Sequence, residues 1–424
     1  MEYDYLILGG GISGISFARM LQLSGCERFL VLEANTEPGG LCRTVTVNEH
    51  VVDIGGGHFL CTTFPAVYDF IFAHVAQSEF RCHERVSTVR VEGHEIDYPI
   101  ESNIWQLPAE VCSEYLISIV RNGESRGDPA PSDFEGWIRW KLGDVVAERY
   151  MLPYNRKLWG LPPCEMDIDW LHKIPRLDVT EIVQGCLRRA MDRNKMPSHA
   201  SFYYPRSGGF QRIFDAILSR VAKNVETGVR AVSLSGAAGN LVVNGRYRAK
   251  VVVSTVPWHE IRDSPIFDAA ARASISRLRA SGIAVQLHER TYSHTAHWTY
   301  VPDEGEAHHR EFFINNFAPH SRRSGVFTET NIGRATGDKD VLYRHLNGYA
   351  YPIPCRGWAT AIDGVLRAGE RIGLYGLGRW GQWRYFNSDV CIAEAMSLCD
   401  RLSVNWRNGL HRQFEHGRGR TKAT

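Results

Sequence analysis

The residues Gly9-Gly10-Gly11-Ile12-Ser13-Gly14 carry the spacing G-x-G-x-x-G. Glycines so placed let a pyrophosphate approach backbone N–H groups, and a helix that starts there adds the positive end of its dipole. Glu33 stands 24 positions after Gly9, at the end of the next apolar run. A carboxylate there can accept hydrogen bonds from the ribose hydroxyls of an adenine dinucleotide. The chemistry indicated is dinucleotide binding, with Gly9, Gly11, Ser13, Gly14 and Glu33 as candidate contacts.

Such contacts need a strand, a tight turn, a helix and a second strand. Tyr3 to Leu8 reads as the strand, Ile15 to Leu23 as the helix and Phe29 to Glu33 as the second strand, a βαβ unit. More strands are expected at Val51 to Ile54 and Val86 to Val91, with a helix over Ala66 to Val75 between them. Arg121 to Ser132, rich in Gly, Pro and Ser, predicts a surface loop or break. Asp133 to Met196 reads as helical and aromatic, an inserted unit. Strand or helix signals resume at Phe202 to Tyr204, Gly209 to Ala222, Val229 to Leu234, Leu241 to Val243 and Ala249 to Ser254. Alternating runs between Ile283 and Phe317, such as IAVQLHE and EFFINNF, predict an antiparallel sheet with one solvated face. A strand at Arg371 to Leu374 and a helix from Asp389 to Leu402 complete the pattern.

Length and composition bound the reading. At 424 residues the chain holds two to four structural units, and 44% apolar with 23% charged residues excludes wholesale disorder. A net charge of +2 gives no argument for nucleic acid as a partner. Nor is membrane insertion expected, since no run of about 18 apolar residues occurs. The ten cysteines include no CxxC pair and read as buried thiols of a reduced compartment. His294 with His297, and His308 with His309, lack a third ligand at metal spacing, so no metal is expected. With no targeting signal at the start, a cytoplasmic location is expected.

A second glycine pair in Glu37-Pro-Gly-Gly-Leu-Cys-Arg43-Thr44 resembles the segment by which the amine oxidase and protoporphyrinogen oxidase superfamily extends its dinucleotide site. The resemblance implies FAD, adds Gly40, Leu41 and Arg43 to the cofactor contacts, and gives Arg43 a cation to present. Asp53-Ile-Gly-Gly-Gly-His58-Phe59 falls where that superfamily runs a loop along the flavin, which implicates Gly56, Gly57 and His58.

Four further segments are similar to those of the UDP-galactopyranose mutase family. They are Tyr98-Pro-Ile-Glu-Ser-Asn103 (like YPIQNN), Tyr154-Asn-Arg-Lys-Leu-Trp-Gly160 (like YNxKxWG), Tyr204-Pro-Arg-Ser-Gly-Gly-Phe210, and Gly378-Arg-Trp-Gly-Gln-Trp-Arg-Tyr385. The resemblance implies an α/β fold: a Rossmann-like FAD-binding domain with an inserted helical domain and an antiparallel β-sheet domain. On that pattern the FAD-binding parts are 1–85, 199–255 and 355–424, the sheet parts 86–102 and 256–354, and the helical insertion 103–198.

The implied activity is interconversion of pyranose and furanose forms of a nucleotide sugar through an adduct between the sugar and N5 of reduced FAD. NADPH or NADH is the candidate reductant, and a homodimer is left open. The resemblance assigns catalytic roles to His58, Arg310, Arg379 and Tyr385. It adds Val229, Gly378, Arg379, Asn387, Asp389 and Val390 to the cofactor site. It gives Asn103, Tyr154, Trp159, Arg176, Arg310, Asn316 and Tyr385 to the substrate. Two departures stand out: Phe317 replaces the tyrosine of eukaryotic members, and Asn387 an acid common in bacterial ones. The alternative reading is an FAD-dependent amine or sugar oxidase or dehydrogenase of the same superfamily.

Overall fold

The computed structural model describes residues 2–168, 170–171, 178–190, 200–335 and 340–410. Its first sheet runs in the order Leu234–Ala237, Asn240–Val243, Tyr247–Ser254, Glu2–Leu8, Phe29–Glu33, Val225–Thr227, and Leu374–Gly376 also pairs with Tyr247–Ser254. The pairs among Glu2–Leu8, Tyr247–Ser254, Phe29–Glu33, Val225–Thr227 and Leu374–Gly376 are parallel. Such strands are covered on both faces, which is why Leu6, Ile7, Leu8 and Phe29 to Leu32 are all buried without alternation. The helix Ile12–Leu23 lies on this sheet and packs against the helices Ser388–Arg401 and Gln211–Val221. Gly14 permits that packing, because a Cβ there would meet the Gly9 carbonyl oxygen at 2.2 Å.

The second sheet has the order Val341–Ile353, Arg279–His288, Val326–Asn331, Arg310–Phe312, Trp298–Tyr300, Ser87–Val91, His94–Asp97. Expected as antiparallel, it contains one parallel junction, between Trp298–Tyr300 and Ser87–Val91. Between these sheets in sequence lie the helices Ala109–Val120, Phe134–Leu142, Leu152–Trp159 and Val179–Arg188. Lys157 ties this helical unit to the sheet: its buried ammonium donates to the Val301 and Asp303 carbonyls at 2.8 and 2.6 Å. The architecture is the expected α/β one, with a Rossmann-like domain, helices and a second sheet.

Three local expectations are corrected. Val229 to Leu234 is not a strand; Val225–Thr227 and Leu234–Ala237 are, because Val229 leaves the sheet to bond the Glu33 carbonyl at 2.8 Å. Of EFFINNF only the first two residues are strand, as the end of Arg310–Phe312, after which Ile314–Asn316 forms a 3-10 turn. Of the cysteines, Cys42, Cys355, Cys391 and Cys399 are buried but Cys82 and Cys164 are exposed, and all ten are free. No described helix is long and apolar enough to cross a membrane.

Candidate active site

A cleft of about 580 Å³ opens at the carboxyl ends of the parallel strands. Gly9, Gly11 and Ser13 line one wall, at the start of the helix Ile12–Leu23. A Cβ at Gly11 would meet nothing within 4 Å, so this position opens onto free space with the helix N-terminus behind it. Glu33 is held rigidly at the next strand end. Its Oε2 accepts from the Gly10 N–H at 2.7 Å, and its Oε1 from the backbone and side-chain N–H groups of Asn35 at 2.8 and 2.9 Å.

Val229 stands beside it, and Gly40, Leu41, Arg43 and His58 line the cleft farther on, with Arg379 also on its wall. The Arg43 guanidinium pairs with Glu37. Burial, with Arg379 adding to it, lowers the His58 pKa to about 4, so this imidazole is neutral near pH 7. The 3.1 Å contact of its Nδ1 with the Gly56 carbonyl makes Nδ1 the donor and leaves Nε2 as an acceptor.

Several predicted cofactor residues stand just outside the cleft wall. Gly56 and Gly57 make room for neighbours: a Cβ at Gly56 would meet Glu329 Oε1 at 1.8 Å, and one at Gly57 the Phe312 ring at 1.8 Å. Gly378 lets Ser13 approach in the same way, at 2.0 Å. Gly14 serves helix packing. Asn387 is the N-cap of the helix Ser388–Arg401, without a side-chain cap bond. That helix presents Ser388 and Cys391 to the cleft, while Asp389 is buried and Val390 half-buried beside them.

Beyond His58 the cleft meets a second region, built from side chains of distant segments. Arg310 donates from Nε and Nη2 to Oε2 of Glu329, at 3.1 and 2.5 Å, and from Nη2 to the Tyr351 hydroxyl at 3.4 Å. Glu329 is 1% exposed, and its Oε1 accepts from the Gly57 N–H at 3.1 Å. Burial alone would raise this carboxyl, but Arg310 and then His309 hold it down at about 2. An ionised pair at this depth survives because each charge is hydrogen-bonded as well as paired.

Arg379 links the two regions. Its Nε donates to the Phe386 carbonyl and its Nη1 to the Ala350 carbonyl, both at 2.8 Å, and its guanidinium sits 5.4 Å from the Tyr385 ring centre and 5.7 Å from that of Tyr351. Tyr385 meets Tyr351 edge-on at 5.0 Å and Trp159 at 6.0 Å. Tyr154 meets Tyr300 at 5.6 Å, and Tyr300 meets Tyr98 at 4.9 Å. Burial raises the phenols of Tyr154, Tyr351 and Tyr385, so they remain neutral donors at physiological pH.

The structure therefore brings together Arg310, Arg379, Tyr385, Tyr154 and Trp159, as the sequence suggested. Trp159 is 2% exposed, with Nε1 donating to Asn155 Oδ1 at 3.0 Å, and its ring meets Tyr351 and Tyr385 in T-shaped contacts, both at 6.0 Å. Asn103 is buried, with Nδ2 on the Pro99 carbonyl at 3.0 Å. Asn316 is turned to other work: its carboxamide donates to the His294 and Ala296 carbonyls at 3.1 and 2.6 Å. Phe317 packs edge-on into Tyr204 at 4.9 Å and Phe202 at 5.9 Å, so the departure there changes core packing. Arg176 lies outside the described residues. Sequence reasoning missed Glu329, Tyr300 and Tyr351, and gave Tyr98 no role beyond opening a matching segment. The acid in the otherwise apolar and threonine-rich VFTETN run was the one available signal for Glu329.

The profile of the NAD(P)-binding Rossmann-like domain matches residues 7–72. A Klebsiella pneumoniae protein described as "Probable UDP-galactopyranose mutase" is 23% identical over 410 residues, covering 94% of each chain. The flavin-containing amine oxidase A of Canis lupus familiaris is 49% identical over 59 residues, 13% of this chain and 11% of the oxidase. Among solved structures, reduced UDP-galactopyranose mutase superposes with a TM-score of 0.85 at 22% identity, covering 96% of this chain and 95% of the other. Cyclohexylamine oxidase from Brevibacterium oxydans gives a TM-score of 0.65 at 15% identity, covering 95% and 100%. The chain shares its fold with these two solved structures.

Proposed function

We propose that the chain is an FAD-dependent isomerase that interconverts pyranose and furanose forms of a nucleotide sugar, as UDP-galactopyranose mutases do. The observation that carries this reading is the junction at Arg379: a dinucleotide cleft opens there onto two half-buried arginines set among tyrosines. An amine oxidase has no need of two cations beside its flavin, whereas a departing nucleoside diphosphate does. The similarity over 94% of both chains to a described mutase supports it.

The residues fit the cofactor. The open face of Gly11, the helix N-terminus and the fixed Glu33 suit a pyrophosphate and a ribose, and Gly39 and Gly40 with positive φ of 130° and 53° let the backbone pass close to a flat ring. Bound in reduced form, FAD supplies a nucleophilic ring nitrogen for the anomeric carbon, with NADPH or NADH the proposed reductant. The chain does the rest by position and charge. Arg310 and Arg379 take the negative charge that builds on the leaving diphosphate, and the Tyr385 and Tyr154 hydroxyls donate to it without losing their protons. Glu329 keeps Arg310 charged and pointed, and His58 offers an acceptor beside the cleft. The aromatic rings keep water from the opened sugar.

The test is to incubate dithionite-reduced holoenzyme with UDP-galactopyranose and other nucleotide sugars and to look for furanose products. The reading expects products from reduced enzyme only, with no net redox change. Turnover confined to oxidised enzyme, with peroxide formed, would establish the oxidase alternative.

A further inference from the structure

The helical unit carries a pair of thiols that the chemistry above does not use. Cys112 lies on the helix Ala109–Val120 and Cys186 on the helix Val179–Arg188, 74 positions apart in sequence. The two helices pack together, and the thiols are in side-chain contact. Helical periodicity turns them toward each other. Cys112 falls on the inward stripe of Tyr115 and Ile119, which are buried, and Cys186 on that of Val179 and Ile182.

Neither thiol is sealed off from solvent: both are half-buried and free. Cys42 and Cys391 also act on one another, but those two are buried in the wall of the dinucleotide cleft. The helix Val179–Arg188 is attached by a narrow stripe, since of its ten residues only Ile182 is buried. Besides Ala109–Val120 it packs on the helix Ile100–Asn103 and the turn Ile104–Gln106. A bond at Cys186 would therefore hold an element that little burial holds.

Two thiols in contact and open to solvent suit a two-electron oxidant of the hydroperoxide class. Burial, and then Cys112, raise the Cys186 thiol to about 12, so Cys186 keeps its proton near neutral pH and Cys112 is the sulfur that attacks. Attack on hydrogen peroxide breaks the O–O bond, releases one water and leaves a sulfenic acid on Cys112. The Cys186 sulfur then displaces the hydroxyl: the S–S bond forms, the S–O bond breaks, and the Cys186 proton leaves with hydroxide as a second water. The two thiols give up two electrons and two protons in all, and both peroxide oxygens end in water.

We propose that Cys112 and Cys186 are a reversible oxidation site, at which hydrogen peroxide closes a disulfide that pins the helix Val179–Arg188 to Ala109–Val120. The bond closes a long loop of chain, so it removes much of the freedom of any state in which the helix lets go. Pinning this helix also steadies Ile100–Asn103, on which it rests. The site stands apart from the nucleotide-sugar chemistry and does not depend on it. A dithiol reopens the bond by exchange.

The test is to treat the holoenzyme with hydrogen peroxide at neutral pH and to digest it without reduction. Mass spectrometry is expected to find Cys112 and Cys186 in one linked peptide, two hydrogens lighter than its parts and separated again by dithiothreitol. Hydrogen exchange of the amides of Val179–Arg188 is expected to slow roughly tenfold on oxidation and to recover on reduction. C112S and C186S, treated alike, should show neither change. Peroxide that leaves both thiols free, takes either to an unlinked sulfinic acid, or joins either to the exposed Cys82 or Cys164 would overturn the site. A bond that forms without slowing exchange would overturn the pinning. The wild-type chain carries both readouts by itself, before and after dithiothreitol, so they do not rest on the variants folding.

Discussion

The glycine cleft and the arginine–tyrosine region are built by opposite means. The cleft is mostly backbone: Gly9, Gly11 and the start of one helix, with Glu33 fixed by N–H groups within 23 positions of it. The other region is built of side chains and gathers Tyr154, Tyr300, Arg310, Glu329, Tyr351, Arg379 and Tyr385 from six separate segments. A backbone cradle tolerates little, because added atoms collide with the chain itself. A side-chain cluster tolerates geometric change but depends on each charge having its partner.

That contrast can be broken or sharpened by substitution. Gly14→Val should have the largest effect, because its side chain would collide with the Gly9 carbonyl 2.2 Å from the first added carbon. The expected outcome is a loss of about 3 kcal/mol or more in stability and of bound flavin, read by thermal denaturation and by absorbance. A stable yellow protein would show that the cleft is more forgiving than its glycines suggest.

Glu329→Gln comes next. It leaves Arg310 buried without its counter-charge, at a cost of about 3 kcal/mol, and should reduce turnover on the order of 100-fold. The sign with pH follows from the depressed carboxyl. A folded pKa of about 2, below the ordinary 4.5, contributes stability that is full above 4.5 and is lost as pH falls through 2. Acid titration of stability should therefore slope downward between about pH 4.5 and 2 in wild type, and this part of the slope should vanish in Glu329→Gln.

Tyr385→Phe removes one neutral donor and no charge. It should lower kcat/KM about tenfold with the melting temperature almost unchanged, measured by steady-state kinetics. Phe317→Tyr is the smallest. Because that ring lies in the core against Phe202 and Tyr204, nucleotide-sugar affinity should not improve, while a buried hydroxyl costs about 1 kcal/mol. Tighter substrate binding would place residue 317 in the site after all.

The same contrast explains what could be read without coordinates. The βαβ unit, with its glycines and Glu33, is local: strand, turn, helix and acid follow within 33 residues, so spacing alone exposes them. Arg310 and Arg379 were found only through motif resemblance, since nothing local marks them. Glu329 and Tyr351 were missed because their partners are brought in by strand pairing across long separations, as in Arg310 opposite Glu329. Asn316, expected at the substrate, lies in a tight turn after Phe313 and donates its carboxamide N–H groups to two backbone carbonyls, a local arrangement that its motif does not announce. Val229 lines the cleft although its expected strand is absent, because its bond to the strand end at Glu33 holds it there.

The central claim is that one cleft holds a flavin and shares Arg379 with a nucleotide-sugar pocket. The most direct measurement is the visible spectrum of the purified chain before and after adding a UDP-sugar. The account predicts the yellow bands of an oxidised flavin, displaced by the sugar nucleotide in wild type and left in place when Arg379→Ala weakens the junction. Colourless protein that takes up no FAD on reconstitution would contradict it.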